Sequence, residues 1–157
     1  MTVGLPPFQR LLEDMAGDVH RFLVATAGPN DADDCFQETF LAALRAYPRL
    51  RPQSNQRAWV LTIAHRKALD HHRARARRAI PMERLPEPPS PGGASPDDDA
   101  LWAQVRGLPP KQRAAVLLRY AGDLSHREVA AALGCSEEAA RRSAHEGLKK
   151  LRQEIAA

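Results

Sequence analysis

The chain has 157 residues, with 23 basic and 19 acidic side chains for a net charge of +4, and its aromatics are only four Phe, two Trp and two Tyr. That length fits one domain or two small ones, and no apolar run reaches the roughly 18 residues of a membrane span. Cys35 and Cys135 stand alone, far apart and outside any C-x-x-C, so a disulfide framework is excluded and a reducing, cytoplasmic setting is expected. The opening MTVGLPPF has no charged stretch leading into an apolar one, so no export signal is expected.

Phe8 to Ala27 reads as a helix, or two around Gly17, because Phe8, Leu11, Leu12, Met15, Val19, Phe22 and Leu23 recur at three and four. Gly28-Pro29 ends it. Asn30 or Asp31 can cap the next helix, and Asp33 and Asp34 suit its positive N-terminal end. Phe36, Phe40, Leu41 and Leu44 are expected to form its buried stripe, with Asp34, Gln37, Glu38 and Arg45 off that stripe. Pro48 to Gln53 reads as a loop.

Asn55 to Arg78 reads as one long helix that changes character halfway. Trp59, Val60, Leu61, Ile63 and Ala64 need neighbours on most sides. Beyond them stand Arg66, Lys67, Arg73, Arg75, Arg77 and Arg78 against one acid, Asp70. At 100° per residue, Arg66, Arg73 and Arg77 fall within about 20° of one azimuth along roughly 16 Å of helix. A row of guanidiniums suits phosphates, because each fork binds two oxygens of a fixed anion. A solvated helix face would usually mix its signs, and this one barely does.

The stretch 80–97 differs in kind. Pro81, Pro86, Pro88, Pro89, Pro91 and Pro96, with Gly92-Gly93, read as a semi-extended linker that could reach on the order of 60 Å. A second helical set is expected over 98–157. Pro109-Pro110 starts a helix with Val116, Leu117 and Tyr120 inside and Gly122 past its end. Ser125-His126-Arg127-Glu128 is a capping box, Gly134 a left-handed cap, and Ser136 the cap of a last helix with Ala140, Ala144, Leu148 and Leu151 on one stripe. Small Ala130 and the turn at Gly134 make this a helix-turn-helix pattern, whose second helix would lie in a major groove. That helix shows Arg141, Arg142, His145, Lys149 and Lys150, while Glu137 and Glu138 oppose DNA from its first turn. A plain αα-hairpin is the alternative.

Three stretches together resemble a known family. They are D-D-C-F-Q-E-T-F-L-A-A-L-R-A at 33–46, R-A-W-V-L-T-I-A-H-R-K-A-L-D-H-H-R at 57–73, and L-P-P-K-Q-R-A-A-V-L-L-R-Y at 108–120 leading into the helix-turn-helix. The chain resembles a group IV, extracytoplasmic-function σ70-type sigma factor of bacterial RNA polymerase, with 8–78 like region 2 and 98–153 like region 4. The resemblance implies an all-α fold in two small domains, 5–79 and 98–157, joined by the linker. It implies that Asp34, Gln37 and Glu38 grip the β′ clamp helices of core polymerase, with the β flap as a further contact. Ser54, Asn55, Trp59, Arg66, Arg73 and Arg77 would bind the −10 element, the loop reading a base that has left the stack. Arg141, Arg142, Ser143, His145 and Lys149 would bind the −35 element. An anti-sigma factor is a further partner it suggests. Relatives usually carry an aromatic before the R-A-W triplet, where this chain has Gln56, and often a base where it has Ser143. The two promoter elements lie about 17 base pairs apart, roughly 58 Å, about the reach of the linker.

No catalytic constellation is present: no nucleophile elbow, no phosphate loop, no acid pair with a task. His20, His65, His71, His72, His126 and His145 include no H-x-x-x-H on an apolar face, so no metal or cofactor is expected. His71 and His72 adjoin the arginines and read as phosphate neighbours. Two other functions fit parts of the pattern. A stand-alone helix-turn-helix regulator would need neither the acidic patch nor the linker. A sigma-mimic interaction protein would use Glu137 and Glu138 to refuse DNA.

Overall fold

Helix α1 (Phe8–Ala27) runs unbroken through Gly17, burying Leu11, Met15, Val19, Phe22 and Leu23 as the spacing predicts. Helix α2 (Pro29–Ala46) follows at once, and its cap differs from expectation. Neither Asn30 nor Asp31 caps it. Gly28, at φ +91°, reverses the chain in a single residue, and Pro29 takes the first helical turn, where a missing N–H costs nothing. A short 3₁₀ turn (Tyr47–Arg49) and a bend lead to helix α3 (Gln56–Arg77), capped by Asn55 through Ala58 N at 3.1 Å. The computed structural model describes residues 4–78 and 96–156, and no strand occurs among them. Most of the proline-rich stretch read as a linker, 80–97, lies outside the described residues; Pro96 already opens helix α4 (Pro96–Arg106).

Helices α1, α2 and α3 pack pairwise into one bundle. An aromatic cluster closes one end of it: Phe8 meets Tyr47 at 5.3 Å and Phe36 meets Phe40 at 4.8 Å, and Tyr47 reaches Trp59 at 6.3 Å. The inward face of α2 is a correction to the sequence reading. Leu41 and Leu44 are not buried but 52% and 50% exposed. Ala32, Cys35, Thr39 and Ala43 take the core side, joined by Phe40. Small side chains let α2 lie close to its neighbours, and the Thr39 hydroxyl satisfies itself on Cys35 O at 2.7 Å. Burial pushes the Cys35 thiol up to about 11, helped by the charges of Glu38, Asp31 and Asp34, so it is an inert packing group.

In the second bundle, helices α5 (Pro110–Val116) and α6 (His126–Leu133) pack on helix α7 (Glu137–Ala156). Helix α5 continues as a π-turn over Leu117–Ala121, with Gly122 N donating to Leu117 O at 2.8 Å. This wider turn rotates Tyr120 away from its expected place beside Val116 and Leu117, and it is 52% exposed. The capping box forms as read, with Ser125 and Glu128 exchanging bonds of 3.0 and 3.1 Å. Gly134 is left-handed at φ +69°, and Ser136 caps α7 through Ala139 N at 3.1 Å.

His65, 7% exposed on α3, is held neutral: burial lowers its pKa, and the Arg66 charge lowers it further. The unfolded chain takes up that proton near the ordinary value of about 6.5, and the folded chain only at lower pH. Stability is therefore complete above about pH 6.5 and falls as the pH drops below it. A thermal-denaturation series from pH 7.5 to 5 should show a steeper loss of Tm for the wild type than for His65→Gln. Parallel slopes would mean that His65 titrates as it does in the unfolded chain.

Candidate nucleic-acid and protein-binding surfaces

Three exposed faces carry the chemistry expected from the sequence. The first lies on α2, opposite its core side. Asp34, Gln37 and Glu38 are all exposed there, and the same face continues into Leu41 and Leu44. The acids are used unequally. Asp31 is paired with Arg75 at 2.9 Å and Asp33 with His20 at 3.2 Å, while Glu38 meets His71 at 3.2 Å. Among the described residues Asp34 has no ion pair. The face is thus acidic at one end and apolar at the other, an arrangement that fits a protein partner offering cations beside an apolar strip. Sequence reading missed the apolar half because hydrophobic spacing alone put both leucines inside.

The second face belongs to α3. Arg66, Arg73 and Arg77 are exposed, and none of them pairs with an acid among the described residues. Arg57 and Arg75 are taken by Asp18 and Asp31, each at 2.9 Å. The row identified by its shared azimuth is therefore free to bind anions. The two histidines beside it are engaged elsewhere. His71 Nε2 faces Glu38, and His72 Nε2 lies 2.6 Å from Thr26 O, so one ring nitrogen of each is already engaged within the protein. Ser54 is half-buried and Trp59 is half-buried against Tyr47. Asn55 is exposed as a residue, yet both ends of its amide are occupied: Oδ1 accepts from Ala58 N, and Nδ2 donates to Glu128 Oε2 at 2.8 Å.

The third face is the outer side of α7. Arg141, Arg142, His145 and Lys149 are exposed and Ser143 is half-buried. The two glutamates reach back along the helix, Glu137 to Arg141 at 3.4 Å and Glu138 to Arg142 at 3.9 Å. Such exposed i,i+4 pairs are worth about 0.3–0.5 kcal/mol, so a phosphate or guanine edge can displace them at small cost. Among the described residues no group of three or more His, Cys, Asp and Glu is placed to hold a metal ion, and no helix is long and apolar enough to cross a membrane.

Comparison with known proteins matches both bundles. The family described as Sigma-70 region 2 matches residues 11–78, and Sigma-70 region 4 matches residues 98–151. The chain is 37% identical to the ECF RNA polymerase sigma factor SigD of Mycobacterium tuberculosis, over 95% of this chain and 77% of that protein. It is 33% identical to the RNA polymerase sigma-E factor of Streptomyces coelicolor, over 82% and 74%. Among solved structures it is similar to the sigma factor RpoE of Bartonella quintana, solved with the anti-sigma factor NepR, at a TM-score of 0.80 and 21% identity over 96% of this chain and 97% of that one. It is also similar to CnrH, solved with the cytosolic domain of CnrY, at a TM-score of 0.67 and 23% identity over 95% and 87%. At those identities the structural likeness is one of fold.

Proposed function

This chain belongs to the extracytoplasmic-function sigma factors of the σ70 family, and from that premise we propose how its three faces divide the work of starting transcription. The protein directs core RNA polymerase to promoters, and the chemistry of RNA synthesis stays with the polymerase; the chain itself is not an enzyme and works in the cytoplasm. The observation that carries this reading is the pairing of an acidic–apolar face on α2 with an unpaired arginine row on the adjoining α3. One bundle thus offers a surface for a protein and a surface for a phosphate backbone.

In this division, 5–79 is the domain for core polymerase and the −10 element, and 98–157 the domain for the −35 element. Asp34, Gln37 and Glu38 meet the β′ clamp helices, and Leu41 and Leu44 extend that contact with apolar area. Ser54 and Asn55 receive the flipped −10 base, Trp59 braces the loop against Tyr47, and Arg66, Arg73 and Arg77 hold the strand's phosphates. Arg141, Arg142, Ser143, His145 and Lys149 read the −35 element from the major groove. The outward Tyr120 gives the second bundle an aromatic contact for the β flap. An anti-sigma factor is proposed as a regulator, since the RpoE relative was captured with one.

Co-elution of the chain with core polymerase, followed by run-off transcription from promoters selected by the reconstituted holoenzyme, tests the whole reading. A chain that binds duplex operators tightly by itself and never co-elutes with core enzyme would be a stand-alone regulator instead. For the third face, Arg141→Ala and Arg142→Ala should each weaken promoter binding. A base contact costs about 1–3 kcal/mol and relaxes one position, whereas a phosphate contact weakens all sequences and lowers the salt slope by about one. Quantitative footprinting across a set of −35 variants at two salt concentrations separates the two. Unchanged binding by both variants removes α7 from that role.

A further inference from the structure

Behind the loop that presents Ser54 and Asn55, one carboxylate ties two helices together. Asp18 of α1 has a side chain only 29% exposed, and its two oxygens serve two arginines. Oδ1 accepts from Arg21 Nη2 at 2.9 Å, one turn along the same helix, and Oδ2 accepts from Arg57 Nη1 at 2.9 Å. The two pairs are unequal. Arg21 stays 65% exposed in an ordinary i,i+3 surface pair, whereas Arg57 stands in the first turn of α3, 39 residues away from Asp18. Among the described residues, Asp18–Arg57 is the one ion pair that joins α1 to α3.

Arg57 is an awkward residue where it stands. The first turn of a helix is its positive end, and a cation there is disfavoured. Helices α2, α6 and α7 each carry an acid in that turn, and α3 carries none. Asp18 supplies from α1 the negative charge that α3 lacks. The same turn holds the Asn55 cap, closed on Ala58 N at 3.1 Å, and Trp59, whose ring lies 6.3 Å from that of Tyr47. At 100° per residue Arg57 and Trp59 point about 160° apart. Asp18 and Tyr47 thus hold the turn from nearly opposite sides, with Ser54 and Asn55 just ahead of it.

We infer that Asp18 is a positioning residue for the −10 element. It touches no DNA; it holds Arg57, and with it the first turn of α3, in the place from which Ser54 and Asn55 receive the flipped base. The inference rests on the −10 role proposed above for those two residues. A base that leaves the stack forfeits its pairing and stacking, so capture succeeds only as far as the receiving groups are already in place. Without Asp18 the Arg57 charge faces the helix dipole alone and the turn frays. The loop must then be ordered at the moment of capture, and that cost is subtracted from the capture itself.

Holoenzyme reconstituted with the full chain tests this on a duplex promoter and on one whose −10 bubble is already mismatched. Asp18→Asn keeps the shape of the side chain and removes its charge. It should slow opening of the duplex about threefold to tenfold, the range for one hydrogen-bonded pair at a partly exposed site, and change the pre-opened template by less than about twofold. Co-elution with core polymerase and helical circular dichroism should not change. Asp18→Glu should restore most of the opening, since its longer carboxylate still reaches Arg57. Arg57→Gln should copy the Asp18→Asn defect, and the double variant should be no worse than either alone, because residues that act through one contact are not additive. Arg21→Gln leaves the Arg57 pair and should open promoters like wild type. Additive defects, or no rescue by Asp18→Glu, would overturn the action through Arg57. Equal loss on both templates would make Asp18 a stability residue, and faster opening by Asp18→Asn would make Arg57 a phosphate ligand that Asp18 withholds; either result overturns the inference. The −10 role of Asn55 fails separately, when Asn55→Ala with Asp18 intact shows equal defects on the two templates.

Discussion

A chain carrying Asp34→Arg and Glu38→Arg should keep its helices and lose core polymerase. Both positions are exposed on the side of α2 away from Cys35, Thr39 and Ala43, so neither change enters the core. The fold loses only the Glu38–His71 contact at 3.2 Å and some favourable charge near the start of α2, together a few tenths of a kcal/mol to about 1. The proposed interface should lose far more. Truncating one partner of a buried charge pair costs about 2–5 kcal/mol, and reversing the sign adds repulsion. Binding should weaken by a hundredfold or more, which abolishes co-elution at micromolar concentrations. Leu41→Glu, on the apolar half of the face, should weaken binding as well, and here too without loss of helix. Circular dichroism and size-exclusion with core enzyme measure the two sides of this expectation. Wild-type co-elution of the double variant would take the acidic face out of the interface.

The second large effect is on strand opening. Of the aromatics, Trp59 is half-buried against Tyr47, and Phe8, Phe36 and Phe40 pack in the same cluster. The first bundle therefore has no exposed platform of stacking rings, each of which would hold a base by about 1–3 kcal/mol. Opening should depend on one captured base at Ser54–Asn55, with Arg66, Arg73 and Arg77 on the backbone beside it. Asn55→Ala should block opening at an intact duplex promoter and matter much less on a template whose −10 bubble is already mismatched, because the unpairing cost is then absent. Asn55 also caps α3, and removing a cap costs about 1 kcal/mol. Asn55→Ser separates the two roles, since its hydroxyl keeps the cap and lacks the amide. Permanganate footprinting and run-off transcription on both templates give the result. Equal defects on the two templates, or a wild-type Asn55→Ser, would leave Asn55 as a shaping residue and put the reader elsewhere.

Much of this was legible in the residues themselves. Period 3.6 found the α1 stripe, and the capping box, Gly134 and Ser136 fixed the helix-turn-helix, because caps and left-handed turns depend on chemistry within a few residues. The arginine row on α3 followed from azimuth alone, and its exposure agrees. Local chemistry also limits what can be read. Nothing within α2 says that Thr39 goes in while Leu41 and Leu44 stay out. That choice is made by the neighbours: α1 and α3 pack against the Ala32, Cys35, Thr39 and Ala43 side of α2, and a threonine that bonds its own helix can be buried at little cost. The outward turn of Tyr120 depends on one added residue in a π-turn, whose backbone rests on Leu61 of the other bundle. The bond between Asn55 and Glu128 joins two caps, each of which the sequence announces separately. Their meeting could come only from tertiary structure, since it depends on how two bundles distant in sequence lie against each other.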